Sequence, residues 1–280
     1  MHTFSDDSPV TVPQDLALPD IRLRDAAEFE PVEQVEGDPT GGFLLVCDHA
    51  RNALPPEYGN LGLGAVEFDR HIAYDIGVRD VTLALAEQLN APAVLSRFSR
   101  LLIDPNRGLD DPTLVMRVSD GAIVPGNAAV DLAEKERRIE RYYRPYDNAV
   151  ADAIQTAVDA GLPPAIVSIH SFTPAWKGAA RPWHVGVLWD NDPRLAVPLI
   201  AALQSDPGLV VGDNEPYTGE LQGDTMNRHG TRGGYAHALI EIRQDLIVDK
   251  TGAFSWAKRI GDILETLRGQ QGLNTIRQFG

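Results

Sequence analysis

Apolar residues gather along this chain into short runs. Those at Phe43–Cys47, Ala93–Phe98, Leu101–Ile103, Ala165–Ile169, His184–Leu188, Leu209–Val211 and Ala238–Ile242 have the length and character of buried strands. Between them apolar and charged positions alternate at helical spacing over Val66–Leu89, Leu132–Ala160 with a break near Pro145, Pro193–Leu203 and Ala253–Leu267. This alternation predicts an α/β fold: a mixed, largely parallel sheet covered by helices on both faces. Ligands in such folds bind at the carboxyl ends of strands. Here those ends read Asp48-His49, Asp104-Pro105-Asn106-Arg107 and His170-Ser171, so the pattern predicts that they converge.

The chain divides into an acidic, proline-bearing arm over residues 1–40, either flexible or laid along a sheet edge, and a single α/β domain over residues 41–280. Two long loops, Asp110–Asp131 and Gly212–Gly234, are candidate lids or binding elements. The dense charge run Glu134–Arg144 reads as a solvated helix face.

Composition narrows the chemistry. A hydrophobic fraction of 43% supports a substantial core, while a formal charge of −15 argues against nucleic-acid or anionic-membrane partners through long-range repulsion. Cys47 is the one cysteine, which excludes an internal disulfide and a thiolate-rich zinc site, so any metal needs nitrogen and oxygen ligands. No apolar run approaches the roughly 20 residues that span a bilayer. The first residues lack the basic start and apolar centre of a signal peptide, so the cytoplasm is the expected compartment.

His49 and His170 each follow a buried strand, a natural nitrogen pair for a divalent metal such as zinc. Asp69 is the expected oxygen ligand, with Glu67, His71 and Asn52 as rivals; Asp75, four residues after His71, would orient that imidazole on a helix. Glu241 stands in an apolar strand, where it must be neutralised by Arg243, by a metal, or by service as a general base. Arg100 and Arg107 are suited to fixing a carboxylate or polarising a carbonyl, and Tyr217 or Arg228 to closing over a substrate. A rival chemistry makes Cys47 a nucleophile beside His49.

Six segments carry a family resemblance: Cys47–Asn52, Phe68–Gly77, Ser99–Arg107, Ser168–Phe172, Asn214–Tyr217 and Ile240–Asp245. Over roughly residues 42–250 the chain resembles the N-formylglutamate amidohydrolases, a branch of the zinc exopeptidase fold shared with metallocarboxypeptidases and aspartoacylases. The resemblance implies a three-layer α/β/α fold. It also implies a zinc-dependent hydrolase of small anionic N-acyl amino acids, such as N-formylglutamate. His49, Asp69 and His170 would hold the metal, Glu241 would be the base and Arg100 would stabilise the oxyanion. Asn106, Arg107, Tyr217 and Arg243 would bind substrate. The chain departs from the carboxypeptidase pattern three residues after His49, where Asn52 replaces a ligating Glu. A carboxypeptidase-like peptidase and a non-catalytic metal- or carboxylate-binding relative are the alternatives.

Overall fold

The computed structural model describes residues 29–279; the beginning of the proposed arm, residues 1–28, lies outside them. A seven-stranded sheet is built from β1 (Val32–Val35), β2 (Phe43–Cys47), β3 (Ala93–Ser96), β4 (Ala165–Phe172), β5 (Val185–Leu188), β6 (Val211–Asp213) and β7 (His237–Arg243), in the order β1-β3-β2-β4-β7-β5-β6. The central strands β3, β2, β4 and β7 run parallel. β1 joins β3 antiparallel at one edge, and β5 and β6 run antiparallel to β7 at the other. Part of the predicted arm is therefore an edge strand: Val32 to Val35 pair with Ser96 to Ala93.

Period-two alternation sorts each strand's side chains between two cores. Phe43, Leu45 and Cys47 of β2 face one layer, packed by α1 (Val78–Leu89), α4 (Pro193–Gln204) and α5 (Lys250–Leu267). Leu44 and Val46 face the other, packed by α3 (Arg144–Asp159) and the turn before it. The result is the three-layer α/β/α architecture expected from the alternation. β2 connects through α1 to β3 on one side, and its other neighbour is β4, so the connections diverge between β2 and β4. That divergence opens a crevice at their carboxyl ends.

Several expected elements differ. Leu101–Ile103 is fully buried but belongs to no strand; its backbone is tied into turns by Leu102 N to Ser99 O and Asp104 N to Leu114 O. The helix expected from Val66 starts at Val78, after a short 3-10 segment (Ala65–Asp69) and an irregular stretch. Gly77 sets that start: its φ is +83°, and a Cβ there would collide with the Ile247 carbonyl oxygen. The helix expected to break near Pro145 runs as α2 (Leu132–Arg138), a π-helical turn (Ile139–Tyr143) and α3, with Pro145 in the first turn of α3, where it is tolerated.

The charge run is not uniformly solvated. The Arg138 side chain is 2% exposed and donates to Leu102 O and the Asn127 side chain, while Tyr142 and Tyr143 are buried beside it. No helix among the described residues is long and apolar enough to cross a membrane.

Candidate active site

At the carboxyl ends of β2, β4 and β7 lies a cavity of about 460 Å3. β2 delivers His49 two residues beyond its end at Cys47, and β4 carries His170 in register with Glu241 of the neighbouring β7. Glu241 shares its strand face with Leu239, the face turned toward α3. Asp75 comes from the irregular stretch before α1, where its backbone N–H donates to His49 O at 3.0 Å.

His49, Asp75 and His170 converge. His49 Nδ1 lies 3.3 Å and His170 Nδ1 2.8 Å from the same atom, Asp75 Oδ2, and the imidazoles meet edge to face with centroids 4.9 Å apart. All three residues are buried. Each outer ring nitrogen is held by another buried carboxylate: His49 Nε2 lies 2.7 Å from Asp104 Oδ1, and His170 Nε2 3.0 Å from Asp48 Oδ2. Carboxylates on the far side of an imidazole fix its orientation and aim the opposite nitrogen at a shared point, the arrangement found behind metal-ligating histidines.

Electrostatics describe the same cluster. Burial alone would depress the His170 pKa, but hydrogen bonds to Asp48 and Asp75 outweigh it and raise it well above its usual value. Burial opposes ionisation of Asp75, yet the two histidines hold it far below the usual carboxylate range. Asp48, also buried, is brought to about 2 by His170, His49 and the Thr225 hydroxyl. Its oxygens further accept from Tyr146 and Ser168 at 3.0 and 3.2 Å. In the metal-free protein the protonated His170 thus lies between the Asp48 and Asp75 carboxylates.

Glu241 behaves differently. Among the described residues its Oε2 is buried without a hydrogen-bond partner, and burial, opposed by His170, carries its pKa up to about 7. The Glu241–Arg243 pair considered from sequence does not form: Arg243 bonds Asp245 at 2.8 Å and lies outside the cavity lining. Arg100 does line the cavity, with Nη2 on Asp104 at 2.9 Å, Nη1 on Asp75 at 3.4 Å and Nε without a partner. Asn106 Oδ1 accepts from Thr225 N, and Arg107 Nη1 donates to the Asn106 carbonyl; both residues, with Tyr217, line the cavity.

The structure thus brings together His49, His170, Glu241, Arg100, Asn106, Arg107 and Tyr217, and leaves Asp69 and Arg243 apart. Asp69 is exposed at the end of its 3-10 segment, away from the histidines; Asp75 occupies the place expected for it. Its rivals are also accounted for. Glu67 pairs with Arg70, and Asn52 donates to Phe68 O, bracing the turn. His71 lines the cavity beside Trp176 and does not face Asp75 along a helix, because residues 70–77 are not helical. Arg228 does not line the cavity; it binds Asp147 and the Pro105 carbonyl, bracing the Asn106–Arg107 turn.

Of the two long loops, Gly212–Gly234 supplies cavity residues and Asp110–Asp131 does not. Gly186, opposite Glu241, lets the first loop approach: a Cβ there would collide with the Glu215 carbonyl oxygen. The sequence places Asp75 against His71 and assigns Asp48 and Asp104 no part, whereas all three carboxylates contact the histidine pair. The signals for Asp75 are its place in the Phe68–Gly77 segment and its position two residues before Gly77.

Cys47 packs in the core against α1, fully buried, and burial pushes its thiol pKa well above the usual value. Such a thiol is not a nucleophile. Cys47→Ala is expected to leave kcat within about twofold, and an alkylation-insensitive rate assay checks it.

Residues 41–248 match the N-formylglutamate amidohydrolase family. Among solved structures, the gene product Atu2144 from Agrobacterium tumefaciens is 34% identical, with a TM-score of 0.79 over 86% of this chain and 96% of that one. The chain belongs to the N-formylglutamate amidohydrolase family. The N-formylglutamate amidohydrolase from Ralstonia eutropha JMP134 shares the fold at 22% identity, with a TM-score of 0.64 over 85% of this chain and 97% of that one. No curated protein sequence matches the chain significantly. The family is one of amidohydrolases, and this chain carries the convergent His49, Asp75 and His170 cluster at its strand ends.

Proposed function

We propose that the protein is a metal-dependent amidohydrolase that cleaves the acyl-amide bond of a small N-acyl amino acid. The observation that carries this reading is the convergence of His49 Nδ1, His170 Nδ1 and Asp75 Oδ2 beside an unpartnered, buried Glu241. Two imidazole nitrogens and one carboxylate oxygen, backed by orienting carboxylates, match the donor set of a catalytic zinc site. Asp75 takes the role that the sequence reading gave to Asp69. When bound there, a divalent cation supplies Lewis acidity to the amide carbonyl and acidifies water.

The chain's own groups account for the remaining chemistry. Glu241, with a pKa near 7, accepts a proton from the attacking water and returns it to the amide nitrogen as the C–N bond breaks. The products are the carboxylic acid of the acyl group and the free amino acid. The Arg100 guanidinium, held by Asp75 and Asp104, donates toward the carbonyl oxygen as negative charge develops. Arg107 and the free amide N–H groups of Asn106 receive the substrate carboxylate. Tyr217 lines the cavity, with the Arg181 guanidinium 5.0 Å from its ring centre.

An assay of N-formyl, N-acetyl and longer N-acyl amino acids before and after chelation tests this. Hydrolysis that stops on chelation and returns with zinc, cobalt or manganese is the expected result. Chelator-resistant hydrolysis, or none with any metal, contradicts it.

A further inference from the structure

Beyond the catalytic groups the cavity is lined by apolar side chains. Leu239 precedes Glu241 by two residues on the same face of β7, so it begins a second row of side chains about 7 Å along the strand. Across the β5–β7 pairing Leu239 stands opposite Leu188, and both line the cavity. Met226 and Leu221, from the loop after β6, and Trp189, just beyond β5, complete an apolar compartment next to the Glu241 carboxylate.

The charges lining the cavity are distributed unevenly. Among the described residues its arginines are Arg100, spent on Asp75 and Asp104, and Arg107, whose guanidinium bonds only the neighbouring Asn106 carbonyl. His71 and His237 also line it, and burial lowers both their pKa values, favouring the neutral forms. His49 and His170 line it too, but their ring nitrogens are taken by Asp48, Asp75 and Asp104. The lining carboxyl groups are Asp75, Asp224 and Glu241. The Arg181 guanidinium, stacked on Phe172, Trp176 and Tyr217, is not among the lining groups, so one substrate carboxylate has a partner in Arg107, whereas a second, reaching into the apolar compartment, would be desolvated beside leucines.

We propose that this protein selects monocarboxylate N-acyl amino acids carrying one apolar group of leucine-to-phenylalanine size, which Leu188, Leu221, Met226 and Leu239 enclose, and that it disfavours N-formylglutamate. The proposal rests on the amidohydrolase reading for its reaction, but the subsite itself is a binding property. Such a group is either the amino-acid side chain or the acyl chain; both have the same apolar chemistry.

Calorimetric binding to zinc-supplemented Glu241→Gln protein, where turnover does not intrude, tests it with N-formyl-L-phenylalanine, N-hexanoylglycine, N-formylglycine and N-formyl-L-glutamate. At least one of the first two is expected to bind about tenfold or more tightly than both of the others. The stronger of the two identifies which end of the substrate enters the compartment. Equal or tighter binding of N-formyl-L-glutamate, or no binding of any ligand, overturns the proposal.

Leu221 lies on a loop and is 36% exposed, so Leu221→Arg is compatible with folding. It is expected to cut the apolar preference about tenfold by giving a second carboxylate a partner; an unchanged ratio overturns the assignment of the compartment. Apolar selectivity in binding, with no hydrolysis of these ligands by the wild-type protein, sustains the subsite and refutes the amidohydrolase reading.

Discussion

Replacing Glu241 with glutamine is expected to lower kcat by about 10²–10⁴-fold while leaving substrate affinity largely intact, the signature of a lost general base. Glutamine keeps the shape and cannot accept a proton. In the wild-type protein the acidic limb of kcat/KM should fall near pH 7, where Glu241 ionises, and the variant's residual rate should lose that limb.

Stability should move in the opposite sense. The folded-state pKa of Glu241 lies above its ordinary value, so its contribution is fully present below about pH 4.5 and is lost as pH rises through about 7. Above that pH the metal-free wild type carries an unpartnered buried carboxylate. Glu241→Gln should therefore be more stable than wild type at pH 8, by roughly 2–3 kcal/mol, and no more stable at pH 4. Denaturant melts of the metal-free proteins at the two pH values check this. A variant that is less active and less stable at pH 8 would mark Glu241 as a structural residue.

The second large effect concerns Asp75. Asp75→Asn removes the charge toward which both Nδ1 atoms point, and metal affinity is expected to fall by at least about 100-fold. Asp69→Asn, on an exposed turn, should change it by less than about twofold. In the metal-free protein Asp75→Asn also leaves the protonated His170 and Arg100 with one carboxylate fewer, at a cost of about 3–5 kcal/mol. Metal binding is therefore measured at a temperature where circular dichroism shows both variants folded. Equal losses in the two variants, or a loss only in Asp69→Asn, would return the oxygen donor to Asp69.

His49 and His170 were legible because each polar residue interrupts or follows a hydrophobic strand, and the strand order carries both to one end of the sheet. Glu241 was legible for the related reason that a charge between two isoleucines demands an explanation. Asp75 was not, because its position depends on where α1 begins. The helical spacing of Val66–Leu89 hides the irregular stretch that Gly77 ends, and only the tertiary contact with Ile247 makes Gly77 decisive. Leu101–Ile103 failed similarly: three apolar residues in a row record burial, and a buried turn satisfies that as well as a strand does. Asp48 and Asp104 stood beside residues already singled out. Their placement behind the imidazoles depends on the register of β2 and on the turn after Leu102, neither of which local sequence encodes.

Titration of the chelator-stripped protein with zinc, followed by elemental analysis after gel filtration, tests most directly whether His49, Asp75 and His170 form one divalent-metal site. One zinc per chain is expected for wild type and for Asp69→Asn, and none retained by Asp75→Asn or by His170→Ala. Wild-type protein that retains no zinc, cobalt or manganese, or a His170→Ala protein that retains a full equivalent, would contradict it.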